Sequence, residues 1–336
     1  MFPVTTRPTT RECMETDKPL ISILMAVYEP RMDWLRTQLN SLNAQTYPNL
    51  RLYIRDDCSP KIPFADIQTL ASACVTAFPY SIERNEKNLG SNGTFELLTK
   101  EAEGEYFAYC DQDDEWLPEK LMVLQEAMTK ENAQLVCSDM YIIDGDGTEI
   151  VDSITKIRRR NIFMSGDGLA PELLVRNWVT GCTMLVNAQT AKEAGPFCPY
   201  MVHDHFLTLC CARRGKIWCL PEPLTKYRQH RANQTSVLMG VHDRESYTEV
   251  RIHELQRRIR WLSERFADDE QLKVPLGELS RWTAARERSM MRHGDAGEVW
   301  KYRKYGKAVS LFDIVTPYLP NSLFMFAVRL VRKNVI

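Results

Sequence analysis

The sequence predicts an α/β fold in which helices cover a central, mostly parallel sheet. Three observations lead to this prediction. Short apolar segments typical of strands alternate with helical patterns five times over about 120 residues. Polar clusters follow several of those strands directly. Strand patterns then stop near residue 243, and charged amphipathic helices follow.

The first half of the chain supplies most of the sheet. Leu20–Val27 is an uninterrupted apolar run, as in a strand buried on both faces. Met32, Leu35, Leu39 and Leu42 then recur at helical spacing. The further strands are predicted at Arg51–Arg55, Tyr80–Arg84, Tyr106–Cys110 and Gln134–Ile143. The further helices are predicted at Ile62–Phe78, Gly93–Ala102 and Pro118–Met128.

The second half is less regular. Residues 144–160 are rich in Gly and Asp and then basic, which predicts a surface loop. Later strands are predicted at 179–186 and 216–220, with a helix over His203–Cys211 between them. Helices are predicted at Arg251–Phe266, Leu276–Met291 and Glu298–Val309. We therefore predict a flexible tail at 1–18, an α/β domain at 19–240 and a helical region at 241–336.

Composition limits the possible functions. A length of 336 residues allows about two domains, and 44% hydrophobic with 26% charged residues excludes wholesale disorder. The net charge of -1 argues against a nucleic-acid-coating protein. Residues 1–243 nevertheless carry 25 Lys+Arg against 32 Asp+Glu, whereas residues 244–336 carry 18 against 12. An acidic front and a basic back indicate different partners for the two parts.

The ten cysteines indicate no disulfide framework. None forms a CxxC pair, and most stand in apolar surroundings, where free Cys behaves as a small buried hydrophobe. The N-terminus shows no apolar signal segment, and no apolar run approaches the ~18–20 residues of a membrane span. We expect a location in reducing cytoplasm.

Two acidic clusters follow predicted strands. Asp111-Gln112-Asp113-Asp114 crowds three carboxylates, a donor set that suits Mg²⁺ or Mn²⁺ together with substrate phosphates. The alternative is a solvated loop whose acids serve a helix N-terminus. Asp56-Asp57 offers a carboxylate to a nucleobase N–H, or else forms a simple turn. Together the clusters suggest a nucleoside diphosphate with a metal ion. Neither GxxxxGK[ST] nor GxGxxG is present, so P-loop and dinucleotide-binding functions lack support.

At this point the residues resemble a known family. The ordered pieces ISILMAVYEP, LRLYIRDDCS, IERNEKNLGSNG, YFAYCDQDDEWLPEKL, TGCTMLV, MVHDHFL and EPLTKYRQHRANQ are similar to family 2 glycosyltransferases, which have the GT-A fold. The resemblance covers about residues 20–236 and is greatest with the bacterial rhamnosyltransferase-like branch. It implies a GT-A sheet, Rossmann-like and mostly parallel, followed by a helical C-terminal extension.

The resemblance also implies roles for particular residues. Asp111 and Asp113 match the DxD motif, with Asp113 on the metal and Asp111 near ribose and metal, and His230 matches a histidine that reaches the metal. Asp204 matches the catalytic base. The implied nucleotide and donor contacts are Ala26, Tyr28, Glu29, Asp57, Asn88, Gly90, Asp111 and Gly181. The pair before the acceptor helix is His203-Asp204 where Glu-Asp is usual, and His205 replaces a frequent Trp, which leaves the pocket shape open.

These roles imply an inverting, metal-dependent hexosyltransferase. The donor would be a nucleotide-diphosphate sugar, with TDP-rhamnose favoured over another TDP- or UDP-sugar. The acceptor would be a hydroxyl of a growing cell-surface polysaccharide or of a lipid-linked oligosaccharide. Two alternatives stay open: a non-catalytic nucleotide-sugar or glycan-binding protein, and a sugar nucleotidyltransferase. The latter normally has a Gly-rich N-terminal loop, and Val27-Tyr28-Glu29-Pro30 stands there instead.

The C-terminal end combines apolar and basic residues. Leu323–Val328 is followed by Arg329, Arg332 and Lys333, a pattern that fits a helix lying on an anionic membrane surface. The alternative is a helix docked on the rest of the protein. We therefore expect a cytoplasmic protein with possible peripheral contact to the inner face of the membrane.

Overall fold

The computed structural model describes residues 18–157, 162–230 and 240–332. Nearly all of the predicted tail at 1–18 lies outside the described residues, as do the basic residues Arg158–Arg160 and residues 231–234 of the YRQHRANQ segment. The chain divides into two compact units. The first comprises the described parts of 1–168, 178–197 and 203–229, and the second those of 169–177, 198–202 and 230–336. The predicted boundary after residue 240 stays a prediction.

The first unit is built on one sheet. Its strands are β1 (Ile21–Val27), β2 (Leu50–Asp56), β3 (Tyr80–Arg84), β4 (Tyr106–Cys110), β5 (Glu115–Trp116), β6 (Leu135–Ile143), β7 (Glu149–Val151), β8 (Met184–Asn187) and β9 (Ile217–Arg228). They lie in the order β3-β2-β1-β4-β8-β6-β9-β5, and β7 pairs with β6. β1, β2, β3 and β4 are mutually parallel, so their carboxyl ends form one edge.

Seven helices accompany this sheet in the described part of the unit. They are α1 (Met32–Asn43), α2 (Phe64–Cys74), α3 (Gly90–Glu101), α4 (Lys120–Glu131), α5 (Ile154–Ile157), α6 (Ala188–Ala194) and α7 (His203–Arg214). In α1, Leu35, Leu39 and Leu42 recur on one face and are fully buried against the sheet core. The side chain of Asn187 caps α6 by accepting from the Thr190 backbone N–H.

The predicted α/β architecture is confirmed, and its second half differs in detail from the prediction. β8 runs antiparallel to β4 and β6, so the sheet is mixed there. Residues 144–160, predicted to be a loop, include β7 and α5. The segment predicted as a strand at 179–186 begins with a 3-10 turn over Gly181–Thr183.

The strand predicted at 216–220 continues to Arg228 through two prolines, Pro221 and Pro223. Proline lacks a backbone N–H and therefore argues against a central strand. Here the register with β6 shifts between Ser138 and Tyr141, beside the prolines, so that the pairing resumes beyond them.

The second unit is helical. Its elements are α8 (Arg244–Thr248), a π-helical turn (Glu249–His253), α9 (Glu254–Arg265), α10 (Glu270–Met290), α11 (Ala296–Lys301), α12 (Lys307–Val315) and α13 (Asn321–Arg332). The helix predicted at 298–309 is interrupted at Gly306, where a Cβ would meet the Trp282 ring at 3.2 Å. Among the described residues, none of the helices combines the length and apolar character needed to cross a bilayer.

The described cysteines are all free. Cys58 and Cys219 are half-buried and the others are buried. Cys13 lies outside the described residues.

Candidate functional site

The carboxyl end of β1 is tied to the acidic loop that follows β4. The Tyr28 backbone N–H donates to Gln112 Oε1 at 2.7 Å, and Gln112 Nε2 donates to the Tyr28 carbonyl at 3.0 Å. Ala26 lies two residues before Tyr28, in β1, and is in register with Arg55 of β2. The two hydrogen bonds of the Gln112 amide thus hold the Tyr28 backbone beside the acidic cluster. The Tyr28 side chain is exposed.

Glu29 organises the next loop. Its backbone has a φ of 45°, and its Oε1 accepts from the Lys61 backbone N–H at 2.7 Å. The Glu29 N–H donates to Ser59 Oγ at 2.8 Å. The Glu29 carboxylate therefore holds the loop at Lys61, and its contact with a nucleotide stays a prediction.

Asp57 is a buried carboxylate directly after β2. Its Oδ1 accepts from Asn85 Nδ2 at 2.8 Å and from the Leu89 backbone N–H at 2.7 Å. It thereby fixes the turn that carries Asn88 and Gly90. Asn88 Oδ1 accepts from the Gly90 N–H at 3.0 Å, and Gly90 adopts a φ of 71°, a left-handed conformation that favours glycine.

The acidic cluster lies at the end of β4. Asp114 is buried, and its Oδ1 accepts from the Arg228 backbone N–H at 3.0 Å. Arg228 Nε also donates to the Asp113 carbonyl at 2.9 Å. Asp111 and Asp113 are half-buried. β9 therefore holds the loop from one side through Arg228, while the loop's carboxylates crowd together.

Crowding changes the protonation of these acids. Burial, then the Asp114, Asp113 and Asp204 carboxylates, raise the pKa of Asp111 well above its usual range. Burial and the neighbouring Asp113 raise the pKa of Asp114 to about 7. Asp204 also lies near this cluster, because it accepts from the Gly181 N–H, next to Cys182, whose Sγ lies within 4.8 Å of a carboxylate oxygen of Asp111.

A buried cation sits beneath the cluster. Lys120 Nζ donates to the Cys182 carbonyl and lies 3.3 Å from the centroid of the Trp116 ring. Burial lowers the pKa of Lys120 to about 7. The lowering is partly offset by neighbouring groups that raise this pKa, namely Cys182, Cys110, Asp114 and Asp111. Lys120 thus supplies part of the positive charge that the acids require.

The donor set fits a hard divalent cation. Ligand atoms of Asp111, Asp114 and Cys182 lie within 4.8 Å of one another among the described residues. Asp114 is engaged by Arg228, and burial raises the pKa of the Cys182 thiol well above its usual range, so the thiol stays protonated. Asp113, the predicted metal ligand, is not part of this group of atoms. Its carboxylate and that of Asp111 are half-buried oxygen donors of the kind that Mg²⁺ or Mn²⁺ prefers. Binding itself stays a prediction.

The predicted base begins α7. Asp204 lies in the first turn of that helix, and its Oδ2 accepts from the Gly181 backbone N–H at 3.0 Å. A Cβ at Gly181 would lie 2.8 Å from His203 Nε2. The structure therefore brings Gly181, His203 and Asp204 into contact, and only glycine fits at 181.

His203 is part of the aromatic packing under this turn. Its ring lies 4.1 Å from the Phe95 ring centroid, and its backbone N–H donates to Asn92 Oδ1 at 2.8 Å. Burial lowers the pKa of the His203 imidazole to about 3, so the ring is neutral at physiological pH. His203 supports the position of Asp204 rather than titrating beside it.

His230 is half-buried and begins the second unit. Its predicted contact with a metal stays a prediction. Sequence reasoning did not assign Gln112, Lys120 or Arg228 to the site. Gln112 lies inside the DQDD segment and Lys120 on the first turn of α4, but the backbone groups that they contact are 84 and 62 residues away, so no local pattern predicts these contacts.

An α/β sheet with acidic residues at the carboxyl ends of its parallel strands, and a carboxylate at a helix N-terminus facing them, defines a GT-A-type domain. The family model described as glycosyl transferase family 2 matches residues 22–185. Residues 22–185 therefore form a glycosyltransferase family 2 domain.

Individual relatives agree with this assignment. One is the UDP-Glc:alpha-D-GlcNAc-diphosphoundecaprenol beta-1,3-glucosyltransferase WfgD of Escherichia coli, 25% identical over 203 residues, covering 60% of this chain and 73% of WfgD. Another is the putative teichuronic acid biosynthesis glycosyltransferase TuaG of Bacillus subtilis, 26% identical, covering 53% of this chain and 67% of TuaG. An uncharacterized glycosyltransferase of Rickettsia felis is 27% identical, but the match spans only 29% of its length.

Solved structures show the same fold. The crystal structure of S. aureus TarS 1-349 in complex with UDP-GlcNAc superposes with a TM-score of 0.58, covering 92% of each chain at 14% identity. This likeness extends beyond the residues matched by the family model, into the helical C-terminal region.

Proposed function

We propose that this chain transfers a sugar from a nucleotide-diphosphate sugar to a hydroxyl of a cell-surface polysaccharide or a lipid-linked oligosaccharide. The observation that carries the proposal is the position of Asp204. Its Oδ2 accepts from the Gly181 N–H, next to Cys182, whose Sγ lies within 4.8 Å of a carboxylate oxygen of Asp111. A base beside a site for a diphosphate is what glycosyl transfer requires. TarS binds UDP-GlcNAc, and WfgD is named for a diphosphoundecaprenol acceptor, which supports both halves of the proposal.

In the proposed reaction, the acceptor oxygen forms a bond to the anomeric carbon as the bond to the diphosphate oxygen breaks. The nucleoside diphosphate leaves with the electron pair, and the acceptor proton passes to Asp204. The helix N-terminus at α7 and the Gly181 N–H favour the carboxylate form that can accept this proton. A single base without a second nucleophile predicts inversion at the anomeric carbon.

The acids at 111 and 113 would hold the Mg²⁺ or Mn²⁺ that the family resemblance implies, with His230 as a further proposed ligand. Such an ion supplies charge stabilisation for the departing diphosphate. Asp57, with the Asn88 and Gly90 turn that it fixes, would receive the nucleotide base, and Ala26, Tyr28 and Glu29 would form the adjacent wall. TDP-rhamnose remains the favoured donor, with other TDP- and UDP-sugars as alternatives.

The decisive experiment incubates the full chain with a panel of TDP- and UDP-sugars, with and without Mn²⁺, and measures release of the nucleoside diphosphate. Asp204→Asn should lower turnover about 10²–10⁴-fold while nucleotide binding persists. Asp146→Asn, at an exposed loop acid, is the matched control and should keep full turnover. Undiminished turnover by Asp204→Asn would refute the role of this base.

The same assay tests the alternatives. Tight donor binding without release by the wild type would favour a nucleotide-sugar-binding protein. Synthesis of a nucleotide sugar from a sugar phosphate and a nucleoside triphosphate would favour a nucleotidyltransferase. Where transfer occurs, the anomeric configuration of the product, read by NMR, tests inversion.

We further propose that the protein acts in the cytoplasm, peripherally on the inner face of the membrane, because a lipid-linked acceptor would be anchored there.

A further inference from the structure

The last two helices of the second unit expose large apolar side chains. On α12, Leu311 and Val315 lie one turn apart on an outward stripe that Lys307 continues. Tyr318 follows in the short connection to α13. The exposed members of this set are Leu311, Val315, Tyr318, Leu323 and Phe326. So many large apolar side chains exposed within sixteen residues of chain are typical of an interaction surface.

The helix α13 has two different faces. Phe324 and Val328, one turn apart, are fully buried in a core with Tyr247, whose ring centroid lies 5.9 Å from that of Phe324. Leu323 and Phe326 point outward and are 50% and 57% exposed. The apolar segment predicted from the sequence is therefore divided, with one face docked inside the unit and the other left outward.

The charge around this outward face has one sign. Between residues 299 and 332 the only acid is Asp313, which is buried and paired with Arg286. Within the part of the chain that the structure describes, the exposed Lys307 and Arg329 have no carboxylate within ion-pair distance. The outward face therefore combines apolar side chains with positive charge.

We propose that the outward faces of α12 and α13 dock on the surface of an anionic phospholipid bilayer. This deepens the peripheral location proposed above by naming the surface responsible. A bilayer surface offers an apolar layer for Leu323 and Phe326 directly beside anionic headgroups for Lys307 and Arg329. A second copy of the chain fits less well, because a two-fold contact would bring two surfaces of the same positive charge together.

The test measures co-sedimentation of the full chain with vesicles, at low and high salt. Vesicles of equal parts phosphatidylcholine and phosphatidylglycerol should pellet the protein, and pure phosphatidylcholine vesicles should not. The double variant Leu323→Ser/Phe326→Ser, and separately Lys307→Glu/Arg329→Glu, should each weaken binding about tenfold or more. Ile150→Ser on β7, where Ile150 is 52% exposed, is the matched control and should bind as wild type.

Donor hydrolysis is measured in parallel on every variant. Retained hydrolysis with lost vesicle binding supports the docking face independently of whether the transferase reaction is correct. The proposal is overturned if both double variants bind vesicles as the wild type does, or if the wild type does not sediment with anionic vesicles. A concentration-dependent dimer in light scattering that Leu323→Ser/Phe326→Ser dissolves would also overturn it, in favour of a second copy.

Discussion

Lys120 Nζ lies 3.3 Å from the centroid of the Trp116 ring, with both side chains buried below the acidic loop. The ring faces the ammonium, while the ammonium's donor reaches the Cys182 carbonyl. A cation–π contact of this kind strengthens when it is desolvated. Trp116 therefore holds the buried Lys120 charge close to carboxylates that would otherwise repel one another.

Replacing Lys120 should destabilise the first unit. Lys120→Met keeps much of the volume but removes the charge and the donor to Cys182. We expect the free energy of unfolding to fall by about 2–4 kcal/mol, because buried acids and a carbonyl lose their partner. Chemical denaturation measures this. Lys130→Met, at an exposed position in the last turn of the same helix, should change stability by less than about 0.5 kcal/mol. Equal stabilities of the two variants would contradict the assignment.

Removing the charge of Asp57 should weaken nucleotide binding. Asp57→Asn keeps an oxygen that can accept from both the Leu89 N–H and Asn85 Nδ2, but it removes the negative charge offered to the nucleotide base. We expect the Kd for UDP or TDP, measured by calorimetry, to rise about tenfold, equivalent to about 1.4 kcal/mol. Asp66→Asn, an exposed acid in the first turn of α2, provides the comparison and should leave the Kd unchanged. Unaltered binding by Asp57→Asn would exclude a nucleotide role.

The sequence predicted those parts of the fold that depend on local pattern. β1, β2 and β4 match apolar runs that are mostly buried, and β3 matches a shorter run whose Tyr80 and Ile82 pack against the same core, so burial and local pattern agree. The strand β9 was predicted too short because Pro221 and Pro223 are unfavourable in a strand. It continues past them because it pairs with β6 across a register shift, a tertiary contact that the local sequence does not reveal. The break at Gly306 likewise depends on where the Trp282 ring lies.

The site follows the same division. Roles for motif residues such as Asp111 and Asp204 could be proposed from the chain alone, and they stay predictions. The role of Gln112 could not, because its amide bonds to the backbone of Tyr28, 84 residues away. The pairing of Lys120 with the Cys182 carbonyl, 62 residues apart, was hidden for the same reason. Contacts between a side chain and distant backbone leave no periodic signal.

Adding one methyl group at Gly181 should disturb catalysis. The Cβ of Gly181→Ala would lie 2.8 Å from His203 Nε2 and 3.6 Å from Asp204 Cβ, so the turn that carries Asp204 must shift. A displacement of about 1 Å can cost about 10²-fold, and we expect kcat to fall roughly 10- to 100-fold. Gly277→Ala serves as the control, since no atom lies within 4 Å of its added Cβ in mid-helix α10. It should keep activity and add about 0.5–1 kcal/mol of stability.

Arg286 and Asp313 should dominate the stability of the second unit. Their side chains are almost completely buried, and Tyr247 also donates to Asp313 at 2.7 Å. Arg286→Met should cost about 3–5 kcal/mol because it leaves an uncompensated buried carboxylate. Arg288→Met breaks only an exposed pair with Asp295 and should cost less than about 1 kcal/mol. Thermal unfolding of the two variants measures this difference. Similar losses of stability in both would show that the buried pair contributes no more than the pair of Arg288 with Asp295.

His203 should make stability depend on pH in the acidic range. Burial lowers the pKa of His203 to about 3 in the folded state, against about 6.5 when unfolded. Between these values the unfolded chain binds the extra proton, so this contribution is complete above pH ~6.5 and is lost as pH falls. At pH 5 the loss should be about 2 kcal/mol relative to pH 7.

Denaturation at pH 5 and pH 7 compares wild type with His203→Gln, which cannot titrate and should show a correspondingly smaller difference between the two pH values. His253→Gln is the informative contrast. Hydrogen bonding to Glu249 raises the pKa of His253, so its contribution is present below pH ~6.5 and is lost as pH rises through the folded-state pKa. An unchanged pH difference in His203→Gln would mean that the imidazole is not desolvated, and the packing of His203 beneath Asp204 would then have to be revised.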